Sequence, residues 1–562
     1  MGGSEYHGLF GRRASRRALV RSGLVGAAGL AGAFVLACGG DEEEASTAGA
    51  GTATSAGAVA TSAPGQQPKV GGEYRLGSTS AIAGADPHNS VLSGASIVAI
   101  VYSYLARTSL LVPEQGILPE LATAWEQAPD QVTTIFKMRS DAMVHENSRG
   151  VPVRPIDAED VKLSFERVGN PQAAANGFSW VNRWVDRFEA VDKTTFKVVT
   201  KEPYAWTMNN IGNNLYSAVV PREWLTNADL KKWAIGSGPY MLQSLEEGAQ
   251  WAAVRNPNFW ESGKPYIATR STRIFADQTT YRTAFTTDQL DAYSATNSDE
   301  AKELLKSRKD AQHHQDPSLG FESFWMNTRV EPFGDPRVRR AIRRAVNPEE
   351  YIQLITRGDG VIIGPVTYAL KDYTLPVDEV KRLLPYNPQE AKQLLQAAGQ
   401  GNLVLKPEFA PRNADHLNVF QRQMGAIGVT VEGAALDLGT WAASLFNSKP
   451  VTSFHSNQEY PTPDVALAWH VTGGVFGVGK YDTGFSDPQI DADWKRAAGI
   501  LDEQERITAY QELQRLIISK EIADFSFYAN RGNSVISTDV IDAPRGLGAL
   551  GNYYVKDMWL NR

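Results

Sequence analysis

The stretch Asn327–Val346 (NTRVEPFGDPRVRRAIRRAV) limits the possible folds more than any other part of the chain. Asp335 is a good helix N-cap, and Pro336 stands at the first helical position, where its missing N–H is not needed. Val338, Ala341, Ile342 and Ala345 recur at helical spacing, with Arg339, Arg340, Arg343 and Arg344 between them. Asn347-Pro348-Glu349-Glu350 starts a second helix in the same way. Glu350 is placed to close its capping box, and Gly358 to end it. The apolar face of this second helix is Tyr351, Ile352 and Ile355. Two N-capped helices in series, straight after the apolar run Phe324–Asn327, read as the entry into a new lobe.

The chain has 562 residues, enough for two or three lobes with their own cores. Apolar residues are 42% and charged residues 21%, ordinary values for a globular protein, and the formal charge is −7. No basic domain occurs, which argues against a nucleic-acid partner.

The first 38 residues read as an address. Ser15–Arg21 (SRRALVR) is a twin-arginine pattern, and Leu24–Ala37 is an apolar run too short to span a bilayer. It ends in Val35-Leu36-Ala37-Cys38, a lipobox-like sequence that holds the one cysteine of the chain. Lipid attachment accounts for that lone cysteine. Residues 1–37 carry five arginines and one glutamate, so their removal takes the formal charge from −7 to about −11. Residues 39–69 open with the acidic run Asp41–Glu44 and continue in Ala, Ser, Thr and Gly with almost nothing to bury. The composition predicts a disordered tether spanning roughly 30 Å on average.

The body opens with a short strand at Gly71–Leu76, then Asp86-Pro87 in a loop and an apolar helix over Ser96–Leu105. Pro119–Glu126 (PELATAWE) precedes an alternating strand at Thr133–Arg139. Asp157 caps a helix with Val161, Phe165 and Val168 inward, and Phe188–Thr200 forms a hairpin around Asp192-Lys193. His145 beside a strand end reads as a structural hydrogen-bonder. The adjacent pair His313-His314, inside the polar run Lys306–Asp316, reads as solvated. In Gly236–Tyr240 (GSGPY) the two glycines permit φ > 0 and close backbone approach, and Pro239 fixes the exit. Asn387 caps a further helix that Gly399 ends, and Met424–Val431 reads as a helix end turning into a strand.

Taken together these motifs resemble the peptide/nickel-binding solute-binding proteins of bacterial ABC importers, extracellular family 5. The likeness rests on Asn327, Pro332-Phe333 and Asp335-x-Arg337-Val338-Arg339-x-Ala341, on PELATAWE, and on Ala158–Val161 (AEDV). It continues through GSGPY, Asn256–Trp260 (NPNFW), Asn387–Gly399, Pro461–Asp464 and Leu501–Gln514, from about residue 71 to 530. Glu146-Asn147 stands where the family has Asp-Gly. The resemblance implies an α/β fold of the periplasmic-binding-protein type II kind, with two hinged lobes and an additional domain in the first. It divides the chain into lobe I (71–105, 233–326 and 531–562), the additional domain (106–232) and lobe II (327–530).

It also implies a function: capture of a small solute, a short peptide above others, in an interlobe cleft and delivery to a membrane permease driven by an ATPase. A metal chelate, an opine or a sugar are the alternatives. By the same resemblance Glu459 holds a peptide amino terminus and Arg412 a carboxylate, for which its fork is suited. Trp441, Tyr460 and Trp469 are possible aromatic walls. The exported chain would be a monomer anchored through Cys38 to the outer face of the cytoplasmic membrane, with no cofactor and no metal.

Enzyme signals are few. No G-x-S-x-G, H-E-x-x-H or C-x-x-C occurs, so a secreted hydrolase lacks its nucleophile–base signature. Gly474–Lys480 fits G-x-x-x-x-G-K, but Tyr481 replaces the Ser or Thr and turn-rich Asp482–Pro488 follows, so it reads as a loop near a cleft.

Overall fold

The computed structural model describes residues 67–80, 84–89, 95–110, 115–173, 175–213, 215–457, 462–474, 482–520, 523–545 and 555–562. The twin-arginine pattern, Cys38, most of the tether, Glu459, Tyr460 and the G-x-x-x-x-G-K loop lie outside the described residues.

The first sheet begins with β1 (Glu73–Ser78). The apolar segment after it becomes a helix only over Ala95–Val101 (α1). The predicted helix to Leu105 is corrected: Ser103-Tyr104 leaves it to pair as a strand with Ala218-Val219. A separate four-stranded antiparallel sheet follows, ordered β2 (Ala122–Gln127), β3 (Thr133–Met138), β5 (Thr195–Thr200) and β4 (Val185–Asp192). Helix α2 (Ala158–Val168) covers it. Asp157 caps α2 and Asp160 returns the bond to the Asp157 N–H, completing a capping box. Phe165 packs within 5.3 Å of Phe188 and 6.1 Å of Phe196.

The chain then returns to β1. Strands β6 (Tyr240–Glu246), β7 (Gln250–Arg255) and β8 (Thr269–Ile274) build the sheet order β1-β8-β7-β6, with β1 and β8 parallel. The GSGPY turn sits at the entry to β6, and close approach is what it needs. A Cβ on Gly236 would lie 2.3 Å from the Val101 carbonyl oxygen, and one on Gly238 would lie 2.5 Å from that of Ile100. Neither glycine has positive φ, so the expectation of left-handed backbone is corrected. His145 ties the turn down: its N–H donates to Gly236 O (2.8 Å) and its Nε2 lies 2.9 Å from Gly238 O. Burial pulls the His145 pKa down to about 4, in keeping with a neutral structural imidazole.

The second large sheet is built on two long strands. It runs β9 (Ala292–Ala295), β15 (Asp524–Ser537), β10 (Ala311–Met326), β14 (Thr452–Asn457), β12 (Glu408–Phe409) and β13 (Ala434–Ala435), with β11 (Gly360–Ile362) on β15. One half of the β10–β15 ribbon carries β9, which pairs with Asn533–Ile536. The other half carries β14, which pairs with Phe321–Met326. Between the halves the ladder breaks, passing from Pro317↔Arg531 to Phe321↔Ala529. Pro317 cannot donate, and Ser318, Leu319 and Gly320 bulge out of register. This strand, which starts at Ala311, corrects the reading of the His313-His314 pair as solvated, while Lys306, Ser307, Lys309 and Asp310 ahead of it are exposed. His314 is 3% exposed within β10, and His313 Nε2 lies 2.8 Å from Asn533 Oδ1. Alternation in a strand buries every second side chain, polar or not.

Beyond β10 come α3 (Pro336–Arg344) and α4 (Pro348–Leu354), capped by Asp335 and Asn347 as their sequences require. Val338, Ala341, Ile342 and Ala345 are all fully buried, each larger one contributing roughly 1.5–3 kcal/mol. Two details differ. Glu350 closes no capping box; its carboxylate binds the Arg422 guanidinium at 2.5 Å and the Gln423 amide at 2.6 Å. α4 ends at Leu354, and Gly358, at φ 95°, closes the following turn with its N–H on Ile352 O. α5 (Pro388–Ala397), capped by Asn387, packs on α3, with Arg337 donating to Ala397 O at 2.9 Å. Gly399 at φ 72° ends it as expected. The lobe continues with α6 (Ala414–Ala426), α7 (Leu438–Phe446), α8 (Pro463–Leu467), α9 (Pro488–Gly499) and α10 (Glu503–Ser519).

The chain finally comes back to the first sheet. Arg562 pairs with Asp291 at 2.9 Å, and Arg75 of β1 pairs with the same carboxylate at 2.7 Å.

Candidate functional site

Strand β14 organises the residues that the sequence selects. Ser453 lies on it, and Trp441 of α7 donates its indole N–H to Ser453 Oγ and Phe454 O, both at 3.2 Å. Arg412, in the turn Pro411–Asn413 ahead of α6, holds its guanidinium carbon 5.4 Å from the Trp441 ring centre. Arg412 is exposed, whereas Trp441 is 5% exposed. Trp469 is also buried and stacks on His455 of β14, centroids 5.9 Å apart at 20°.

The His455 pKa is pulled down to about 3, by burial first and then by the Arg412 and His470 charges. Its Nε2 lies 3.6 Å from Asp524 Oδ2, whose carboxyl burial pushes well up. Arg412, Trp441 and Trp469 therefore meet around one strand. Glu459 and Tyr460, outside the described residues, follow directly after its last residue, Asn457.

A cavity of about 540 Å³ lies elsewhere, against β1, β8 and the β10–β15 ribbon. Tyr74, Ser78, Arg270, Asp316, Arg531 and Asn533 are among its walls, and none of the five residues selected from sequence is. Burial pulls the Arg270 pKa down to about 10, with Tyr74 and Tyr240 pulling the other way. The alternating pattern of β8 (TRSTRI) was the available signal, since it turns Arg270 and Thr272 inward together.

A second contact joins the small sheet to the far lobe. Tyr204 donates to Asp464 Oδ2 at 2.7 Å, Tyr510 donates to Oδ1 at 3.1 Å, and Trp206 donates to Tyr510 at 2.9 Å. Burial pushes the Asp464 carboxyl up to about 6, against those hydroxyls and the Arg183 charge. Among the described residues no group of three or more His, Cys, Asp or Glu is placed to hold a metal, and no helix is long and apolar enough to cross a membrane.

The family model for bacterial extracellular solute-binding proteins, family 5 (middle region) matches residues 116–477, more than half of the chain. The chain belongs to that family. Family 5 relatives include the glutathione-binding protein GsiB of Pectobacterium atrosepticum, 24% identical over 419 residues, covering 71% of this chain and 78% of the relative. The di/tripeptide-binding protein 2 of Pseudomonas aeruginosa is 25% identical over 431 residues, covering 71% and 79%. In fold, this family 5 chain is similar to the periplasmic binding protein DppA of Helicobacter pylori, solved with the peptide STSA. The TM-score is 0.77 at 18% identity, covering 88% of this chain and 99% of DppA. The α/β fold is thus the type II periplasmic-binding-protein arrangement of two lobes, and the protein is a solute-binding protein.

Proposed function

We propose that this protein captures a short peptide between its lobes and delivers it to the permease of an ABC importer, whose ATPase drives transport. The lobes in this reading are 71–105 with 233–326 and 531–562, then 327–530, with 106–232 as the added domain. We place the hinge at the broken ladder at Pro317–Gly320, so that Phe321–Met326, which pairs with β14, moves with the second lobe instead of the first. The observation that carries the ligand assignment is the grouping of Arg412, Trp441 and Trp469 on β14, immediately ahead of Glu459 and Tyr460. An exposed arginine over an indole suits the carboxylate of a zwitterion, and the sequence supplies a glutamate two residues after the end of β14 for its amine. The names of the relatives, glutathione-binding and di/tripeptide-binding, favour the same chemistry. Cys38, lipidated after export of the folded chain, would hold the protein through residues 39–69 at the outer face of the cytoplasmic membrane, as a monomer.

A thermal-shift screen of the full chain tests the reading, with glutathione, di- to pentapeptides, nickel–histidine, opines and oligosaccharides as probes. A ligand at 100 times its Kd adds about 2.7 kcal/mol of stability. A shift with peptides, lost in Glu459→Ala and weakened in Arg412→Ala, is expected. A shift with only a chelate, an opine or a sugar would replace the peptide assignment.

A further inference from the structure

We propose that Glu322 is a positioning residue: through Asn413 it holds the turn that carries Arg412, and so sets how strongly the site prefers a free carboxylate. The inference rests on the reading of Arg412 given under the proposed function. Glu322 lies on β10, paired on one side with Ser456 of β14 and on the other with Tyr528 of β15. Strands on both sides thus hold its backbone, and the residue is 8% exposed. Asn413, 1% exposed, donates from Nδ2 to Glu322 Oε2 at 3.2 Å. His416 brings its Nε2 to 3.9 Å from the same oxygen and to 2.7 Å from the Tyr528 hydroxyl. Its ring stacks on that of Tyr528, 6.0 Å away at 6°. The start of α6 is thereby fixed to the two long strands of the sheet.

The bond to Glu322 takes the cap away from the helix. Asn is among the best N-cap residues, and Asp157, Asp335, Asn347 and Asn387 all cap their helices through their side chains. Asn413 stands at the N-cap of α6 and makes no such bond. Its amide reaches β10 instead. A local preference given up for a distant contact marks a place where geometry matters more than helix stability. What the contact fixes is the short turn Pro411–Asn413, whose backbone bonds include Asn413 N–H to Ala410 O at 2.8 Å. Arg412 is the middle residue of that turn. Its exposed guanidinium rests over Trp441 and pairs with no carboxylate among the described residues. The fork is left for a ligand, and a carboxylate fills it with two parallel bonds where an amide offers one acceptor. That advantage depends on placement, because a group already held in position loses less freedom on binding. Trp441 steadies the end of the side chain, and Glu322 steadies the backbone from which it grows.

Calorimetric titration of the full chain with trialanine and with trialaninamide, which lacks the carboxylate, tests this. The unaltered chain should prefer trialanine by about tenfold or more, and Arg412→Ala should bind the two within about twofold of each other. Glu322→Ala should lower the preference by about threefold or more through weaker binding of trialanine alone, with trialaninamide within about twofold of its unaltered affinity. Glu322→Gln, which keeps an oxygen for Asn413, recovers part of the preference. In the Arg412→Ala background, Glu322→Ala should change the ratio no further. A smaller loss of preference in Glu322→Ala, or an equal loss for both peptides, overturns the positioning role and leaves Arg412 its own. If Arg412→Ala keeps the preference, or neither peptide binds, the carboxylate reading fails, and hydrogen exchange of the ligand-free full chain judges the anchor by itself. There the Asn413 N–H, read by mass spectrometry on overlapping peptides across 408–416, should exchange about threefold faster or more in Glu322→Ala, while the interior of β15 exchanges as in the unaltered chain. A smaller change refutes the anchor. Should Glu322→Ala not fold, Asn413→Ala breaks the same bond from its other end and is read in the same way.

Discussion

Replacing Gly236 by alanine should be among the most damaging single changes outside a hydrophobic core. The added methyl would lie 2.3 Å from the Val101 carbonyl oxygen and 2.9 Å from Tyr102 Cα, and both are backbone atoms that cannot rotate away. Relief needs a backbone shift of about 1 Å, with overpacking worth about 1–3 kcal/mol. The shift also loosens Gly238 N–H to Val101 O (2.9 Å) and His145 N–H to Gly236 O (2.8 Å). Each contributes about 1 kcal/mol net, so the total is about 3–5 kcal/mol. Unfolding entropy near 2.1 cal/mol/K per residue over roughly 500 residues makes that a fall in Tm of about 3–5 °C, if the chain melts as one unit. Differential scanning calorimetry of the full chain measures it. Gly425→Ala, on an open face of α6 with nothing within 4 Å of the new methyl, is the control. It should be neutral or stabilising by about 0.5–1 kcal/mol, from helix propensity. If Gly236→Ala melts no lower than Gly425→Ala, the close-approach account of GSGPY is wrong.

Other consequences follow from buried charges. Glu120 and Arg107 form an ion pair at 2.7 Å, each side chain 1% exposed. Glu120→Ala, which removes the buried countercharge of the guanidinium, should lose about 3–5 kcal/mol by urea unfolding, while the double change to leucine regains most of it. Burial holds the Asp464 carboxyl at about 6 in the folded chain, above its ordinary 3.8. A raised pKa means that its contribution to stability is fully present below the ordinary value and is lost as pH rises through 6, which urea unfolding as a function of pH reads. In Asp464→Asn that dependence should vanish; an unchanged slope would refute it. The Asp291 carboxyl is pushed up by burial but held below its ordinary range by hydrogen bonds from Arg75 and Arg562. Its stability is present at neutral pH and lost as pH falls through that lowered value, so Asp291→Asn should flatten the acid limb of a Tm–pH curve.

Local signals in the sequence were read accurately where physics is local. Asp157, Asp335, Asn347 and Asn387 all cap the helices that their positions announce, and the inward face of α3 is the one that its spacing picks out. Errors arose where a distant partner decides. Glu350 follows the capping-box pattern, yet Arg422 and Gln423 claim it. His313-His314 looks solvated because the residues around it are polar, and only the pairing of Ala311–Asp316 with β15 makes a strand there and buries His314. GSGPY announces itself as special, but whether sign of φ or crowding requires its glycines depends on α1, more than a hundred residues earlier.

The candidate site divides the same way. Family pattern singles out Arg412, and Trp441 and Trp469 are simply aromatic residues of the same stretch; Arg412 lies over Trp441, and both tryptophans contact β14. Arg270 and the cavity wall around it were missed, because an arginine in an alternating strand carries no sign of what lies opposite. The Asp464 network was equally invisible, since Tyr204 and Asp464 are 260 residues apart.

The central claim, that two lobes close on a small solute, is tested most directly by small-angle X-ray scattering of the full chain titrated with glutathione and with trialanine. The account predicts that the radius of gyration falls and saturates at one ligand per chain for a probe that binds. Saturated binding with no change in the radius of gyration would contradict it.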